Sequence, residues 1–180
     1  MREWTLPSAK EARLNARDYF DWVRDASRDA ESIRQQLMAL ESRAKALGGG
    51  GFEPRTRSTP DPRRMEGRIV AYMQREEELK TRQEADYAII GRACRLLYGE
   101  DEDGRGGVAL ACGPLHADVL WWRYLDDSPW KQVASVLGSS VTTCRAAHDA
   151  ALRWIDEGGA LGDAERSYED YIVKSQEVDG

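Results

Sequence analysis

The stretch that decides the fold is WKQVASVLGSSVTTCRAAHDAAL, Trp130 to Leu152. Trp130, Val133, Ala134 and Leu137 stand at i, i+3, i+4 and i+7, the apolar stripe of a helix with one buried face. Gly138 follows, the residue type that ends helices in the left-handed conformation. Ser140 then supplies an N-cap oxygen for a new helix, whose inward stripe is Cys144, Ala147, Ala151 and Ile155. Two helices joined by a three-to-four-residue turn containing glycine make a helix-turn-helix, and Ala134 is small where the two axes cross.

Working outward, Leu115 to Tyr124 reads as a preceding helix with Leu120 and Tyr124 on one face. Asp126, Asp127 and Ser128 form its turn. Ser128 is the expected N-cap of the next helix, with Pro129 at the first helical position. The compact unit therefore runs from 114 to 157. Residues 158 to 180 form an acidic tail with one short helix expected around Ala164 to Lys174.

Upstream, GEDEDGRGG (Gly99 to Gly107) is acidic and glycine-rich, and 99 to 113 is read as a flexible linker. Before it lie two long helical segments of similar length. In the first, Ser8 to Leu47, the seam Ala16, Tyr19, Val23, Ala26, Ala30, Ile33, Leu37, Leu40, Ala44, Leu47 advances in alternating steps of three and four. That is the period that keeps one stripe facing a partner helix. Ser8 and Glu11 have the spacing of a capping box. The second segment runs from Pro62 to Tyr98 with Met65, Ile69, Tyr72, Leu79, Ile90, Ala93 and Leu97 as its apolar positions. Glu76, Gln83 and Asp86 interrupt that stripe. The Gly/Pro-rich stretch 48 to 62 separates the two segments and excludes regular structure. The expected fold is all-α: a long antiparallel helical hairpin, coiled-coil-like, over 8 to 98, then the helix-turn-helix domain. A parallel homodimer through the first seam is the competing arrangement.

Composition narrows the function. The 180 residues hold 26 Lys and Arg against 32 Asp and Glu, a net charge of −6. The molecule as a whole therefore does not attract polyanions, and any basic contact surface has to be local. Leu115 to Glu157 alone carries four basic and six acidic residues. No apolar run is long enough to cross a bilayer and the N-terminus has no apolar signal core, so no membrane partner and a cytoplasmic location are expected. Three cysteines without metal spacing read as reduced thiols. No phosphate-binding glycine loop, nucleophile–histidine set or metal-ligand cluster is legible, so no enzyme activity, metal or cofactor is expected. His148 reads as a packed helix residue, and Arg123 as a buried structural partner for a carboxylate. Of Trp121 and Trp122, one is expected in the core and one near the surface. The run Arg55, Arg57, Arg63, Arg64 is interleaved with acids and reads as a solvated loop.

The segment VLWWRYLDDSPWKQVASVLGSSVTTCRAAHDAAL resembles the region-four helix-turn-helix of sigma-70-type factors, and more closely the phage and prophage sigma-like transcriptional regulators. Leu120, Arg123, Tyr124, Trp130, Val133, Ala134, Leu137, Gly138, Ser140, His148, Ala151 and Leu152 carry the resemblance. Those regulators also tend to have an N-terminal helical hairpin with a glycine-rich interruption. The resemblance implies a sequence-specific DNA-binding regulator of transcription that acts with RNA polymerase, with a homodimer through the hairpin as one form. It implies that the last helix enters the major groove of double-stranded DNA. By position, Val141, Thr142, Thr143, Arg145, Ala146 and Asp149 then face outward, with Arg145 the residue for a bidentate contact to guanine. Lys131, Ser139, Ser140 and Arg153 would hold phosphates. Ala146, Asp149 and Ala150 depart from the family, which has basic or polar groups there. A coiled-coil adaptor with a degenerate helix-turn-helix and a DNA-recognition subunit of a phage packaging machine are the alternatives.

Overall fold

A computed structural model describes residues 14–48, 62–100, 106–158 and 160–161. The protein is all-α: among the described residues every regular element is helical and no strand occurs. The elements are α1 (Ala16–Gly48), α2 (Pro62–Tyr98), α3 (Gly107–Ala111), α4 (Pro114–Leu120), a π turn (Trp121–Leu125), α5 (Trp130–Val136) and α6 (Val141–Gly158). They divide into two compact units. Of the described residues, one comprises those up to Arg24 together with those from Gly91 onward; the other comprises those within Asp25–Ile90.

In the first unit α1 begins at Ala16. The expected helix start at Ser8 lies outside the described residues, but Leu14 and Asn15 are not helical, so a helix unbroken from Ser8 is ruled out. Asn15 is the cap. Its Oδ1 accepts the Asp18 backbone N–H at 2.9 Å, its Nδ2 donates to Asp18 Oδ2 at 2.7 Å, and the Ala16 N–H donates to Asp156 Oδ1 on α6 at 2.6 Å. Orphan amides at the first turn of α1 are thereby satisfied. Ala16, Tyr19 and Val23 are buried as the seam requires, and so is Phe20, which lies off it. Burying 19, 20 and 23 together means that these turns of α1 are covered on a wider arc than one partner helix needs. Tyr19, deep among apolar groups, has its hydroxyl pKa pushed up to about 12 by that burial.

The stretch 99 to 113 is not an open linker at its described ends. Gly99 N–H donates to Arg95 O at 2.7 Å and Gly106 N–H to Tyr98 O at 2.6 Å. Gly107 has φ +54, and a Cβ there would stand 2.1 Å from Leu96 O, so only glycine allows this approach. The short helix α3 starts at that point and buries Val108. The acidic residues 101–105 lie outside the described set.

The helix expected over Leu115 to Tyr124 changes character midway. After Leu120 the backbone widens into a π turn, closed by Asp126 N–H to Trp121 O at 3.2 Å, and the chain exits through Asp127 at φ +53. Leu120 and Tyr124 are buried as expected. Neither tryptophan takes an extreme position: Trp121 and Trp122 are both half-buried, with their rings 4.9 Å apart edge to face. Ser128 does not cap α5. Its Oγ donates to Asp126 Oδ2 at 2.5 Å, and Pro129, at φ −68 and ψ 152, takes the capping position instead. The local carboxylate competes for the hydroxyl and wins it.

α5 and α6 pack on α4 through Val119, Val133, Ala134, Cys144 and Ala147, with Leu115, Trp122, Trp130, Leu137 and Val141 at the margin. Full burial contributes roughly 1.5–3 kcal/mol for each of Val119 and Val133, and less for the smaller Ala134, Cys144 and Ala147. Gly138 has φ +58, and Ser140 Oγ accepts the Thr143 N–H at 3.0 Å. The α6 stripe Cys144, Ala147, Ala151, Ile155 is buried throughout. Beyond α6, Ala160 N–H returns to Ile155 O and Leu161 is buried. The helix expected at Ala164 to Lys174 lies outside the described residues.

α2 spans the range that the sequence predicts, and its part up to Ile90 belongs to the second unit. Ala26, Ala30 and Ile33 of α1 and Leu79 and Ile89 of α2 are buried. Ile90, the expected seam residue, is only half-buried: the stripe passes one position earlier. Arg82 donates to Asp29 Oδ2 at 2.5 Å and Gln83 Nε2 to Ala30 O at 3.4 Å. The α1 seam then fades. Leu37 and Leu40 are half-buried and Ala44 is exposed, while Ile69, Val70 and Met73 of α2 are open to solvent. Glu31–Arg34, Glu41–Lys45 and Glu76–Lys80 pairs line the exposed faces. The stretch 49–61, with Arg55 and Arg57, lies outside the described residues.

Candidate nucleic-acid interface

α6 presents one buried flank and one open flank. Thr142, Thr143, Arg145, Ala146, Asp149 and Arg153 are exposed, as are Lys131 on α5 and Ser140 at the cap. Ser139 is half-buried in the turn. Val141 is the exception among the residues expected outside: it is half-buried and packs at the margin of the core, since a branched apolar chain at the first helical position gains more by covering the buried cluster than by facing water. Thr143 Oγ1 shares a 2.8 Å hydrogen bond with Ser140 Oγ, so this hydroxyl is partly engaged in the cap.

Arg145 does not simply project into solvent. Its guanidinium lies over the Trp130 ring at 5.5 Å, and that of Arg123 lies over the same ring at 5.6 Å. Arg123 also donates to Ser128 O at 3.2 Å and stands 3.9 Å from Asp127, pairing with a carboxylate as expected but half-buried rather than buried. Stacking uses the face of a guanidinium and leaves in-plane N–H groups for an acceptor.

His148 is buried between these groups. Its Nε2 is 3.0 Å from Tyr124 Oη and its Nδ1 is 2.8 Å from Asp149 Oδ1. The neutral tautomer with the proton on Nδ1 satisfies both bonds: Nδ1–H donates to Asp149, and Tyr124 O–H donates to Nε2. Burial lowers the imidazole pKa; Asp149 opposes the shift, while Arg17 and Arg123 add to it. The same burial raises the Tyr124 hydroxyl pKa.

Two residues that the sequence reading missed complete the picture. Arg17 and Arg24 of α1 reach the same place, Arg17 to 4.0 Å from Asp149 and Arg24 over the Tyr124 ring at 5.9 Å. Together with Asp21, Arg123, Tyr124, Trp130, Arg145, His148 and Asp149 they line a cleft of about 280 Å³. The signal for this was Phe20. It sits between Arg17 and Arg24 on the helix and packs 5.2 Å from Tyr124, carrying both arginines to that side.

Among the described residues no group of His, Cys, Asp or Glu is placed to hold a metal ion, and no helix is long and apolar enough to cross a membrane. Comparison of the chain with protein-family models, curated proteins and solved structures finds no match.

Proposed function

We propose that the protein is a sequence-specific DNA-binding regulator of transcription, sigma-factor-like and of the phage type, acting with bacterial RNA polymerase. In this reading α5, the Gly138 turn and α6 are a helix-turn-helix, and the start of α6 lies in the major groove. The observation that carries it is the two-sidedness of α6: a fully buried stripe behind, an open flank of Thr142, Thr143, Arg145 and Ala146 in front, and a capped N-terminus at Ser140. A helix braced in this way is fit to enter a groove about 12 Å wide. The long parts of α1 and α2 form an antiparallel hairpin that serves assembly, by homodimer or on the polymerase.

Selection of a preferred duplex from a random pool, followed by binding of that duplex to Arg145→Ala, tests the proposal. Loss of about 1–3 kcal/mol of discrimination at one base pair supports it. Unchanged occupancy and unchanged reporter output in the variant would remove groove reading by α6.

The adaptor reading has one observation in its favour, the exposed Ile69, Val70 and Met73 on α2. It predicts that Arg145→Ala has no effect on promoter output while charged substitutions at those three positions abolish it.

A further inference from the structure

The arginine cleft beside α6 reaches beyond the groove-reading account, which uses only Arg145 of its arginines. It holds four arginines, Arg17, Arg24, Arg123 and Arg145, against two aspartates, Asp21 and Asp149. That leaves two positive charges in one place on a chain whose net charge is −6. The ion pairs inside it are uneven. Arg24 is 2.9 Å from Asp21, but Arg17 and Asp149 meet only at 4.0 Å and are 65% and 61% exposed. Exposed pairs of that kind contribute little and exchange readily for another anion. Arg24 Nε is buried and donates to no acceptor. Arg145 is held by the Trp130 ring and, among the described residues, by no carboxylate.

The lining also says which anion fits. The Trp130 and Tyr124 rings are already met by guanidinium groups and by His148, 5.2 Å and 5.7 Å away, so a base has no ring prepared for stacking. What remains on offer is N–H groups in guanidinium planes, the donor set for phosphate oxygens. Arg145 and Asp149 belong both to the cleft and to the open flank of α6, so an anion seated there lies alongside that helix.

The geometry points to a phosphate clamp for the DNA backbone, with Arg17 and Arg24 of α1 gripping a phosphodiester next to the groove that α6 reads. The assignment rests on the reading of α6 as a groove helix. It also removes that reading's electrostatic difficulty, because α1 supplies the charge that Leu115–Glu157 lacks. Arg17 trades Asp149 for the phosphate as the duplex arrives, and Asp149 restrains binding in its absence.

The test uses the full chain and a fluorescently labelled random-sequence 20-base-pair duplex, with affinity measured across a salt series for the wild type, Arg17→Gln, Arg24→Gln and Asp149→Asn. Circular dichroism melts confirm that each variant is folded. Each arginine variant should weaken binding about fivefold, equally for all sequences, and flatten the salt slope by about one. Asp149→Asn should tighten it. If the wild type binds and the arginine variants bind with the same affinity and slope, the clamp is overturned while groove reading stands. If the wild type binds neither this duplex nor the duplex selected from the random pool, groove reading and clamp both fall. A parallel arm adds millimolar pyrophosphate. Should it raise the melting temperature of the wild type but not of Arg17→Gln, with duplex binding insensitive to both arginines, the site takes a free phosphate compound and the DNA assignment is overturned.

Discussion

Tyr124 Oη and His148 Nε2 stand 3.0 Å apart in the interior, a polar link between the π turn and α6. Both rings are buried, and they stack with centroids 5.7 Å apart. With the ring neutral and its proton on Nδ1, Tyr124 O–H donates to Nε2; a protonated ring reverses the bond, Nε2–H donating to Tyr124 Oη.

Burial of His148 fixes the sign of a pH effect. The pKa of His148 is lowered in the folded protein, by burial first, so the stability it contributes is present above the ordinary value near 6.5 and is lost as pH falls through the folded value. Asp149, Arg17, Arg123, Tyr124 and Trp130 are the groups that face it. An NMR titration of the two histidines, with His148→Gln to assign the signals, should place the His148 midpoint below 6.5. A midpoint above 7 would mean that Asp149, not burial, governs the ring. Tyr124→Phe should cost about 1–3 kcal/mol at pH 7.5, since it strips the buried acceptor of its donor.

The turn before α6 gives two graded effects. Gly138 has φ +58, and a Cβ placed there would have no atom within 4 Å, so a substitution meets backbone cost alone. Gly138→Ala should destabilise by about 1–2 kcal/mol and Gly138→Asn by less, because asparagine tolerates the left-handed region better. Ser140→Ala removes the acceptor for Thr143 N–H and should cost about 1 kcal/mol. Urea melts of the three variants measure the order.

Asp86 in the Asp25–Ile90 unit carries the opposite pH signature. Its carboxyl is half-buried beside Asp29, with Oδ2 unbonded, and its pKa is pushed up to about 6 by burial and by that neighbour against the pull of Arg82. A raised acid favours the fold below its unfolded value near 3.9 and loses that contribution as pH rises through 6. Asp86→Asn should therefore stabilise the protein at pH 7.5 by on the order of 0.5–1 kcal/mol, discounted because water reaches the group. The gain should vanish at pH 4. Thermal melts at the two values decide it.

Phe20 is fully buried against Tyr19 and Tyr124, at ring distances of 5.3 Å and 5.2 Å. Phe20→Ala should destabilise by about 3–5 kcal/mol. If it costs less than 1 kcal/mol by denaturant melt, the start of α1 is not seated as described, and Arg17 and Arg24 lose their reason to face the cleft.

Much of this molecule is decided over a few residues at a time, and those parts were readable from the sequence. The helical range Pro62–Tyr98, the left-handed Gly138, the Ser140 cap and the buried stripe of α6 each depend on periodicity or on one residue's backbone preference. Where two local partners compete, the reading failed: Ser128 bonds Asp126 rather than capping α5. The cleft was beyond reach for another reason. Arg17 and Arg145 are more than a hundred residues apart, and nothing in either neighbourhood specifies that they share a wall. That follows only once Phe20 is buried against Tyr124, because packing, not periodicity, selects which flank of a helix turns toward a distant one.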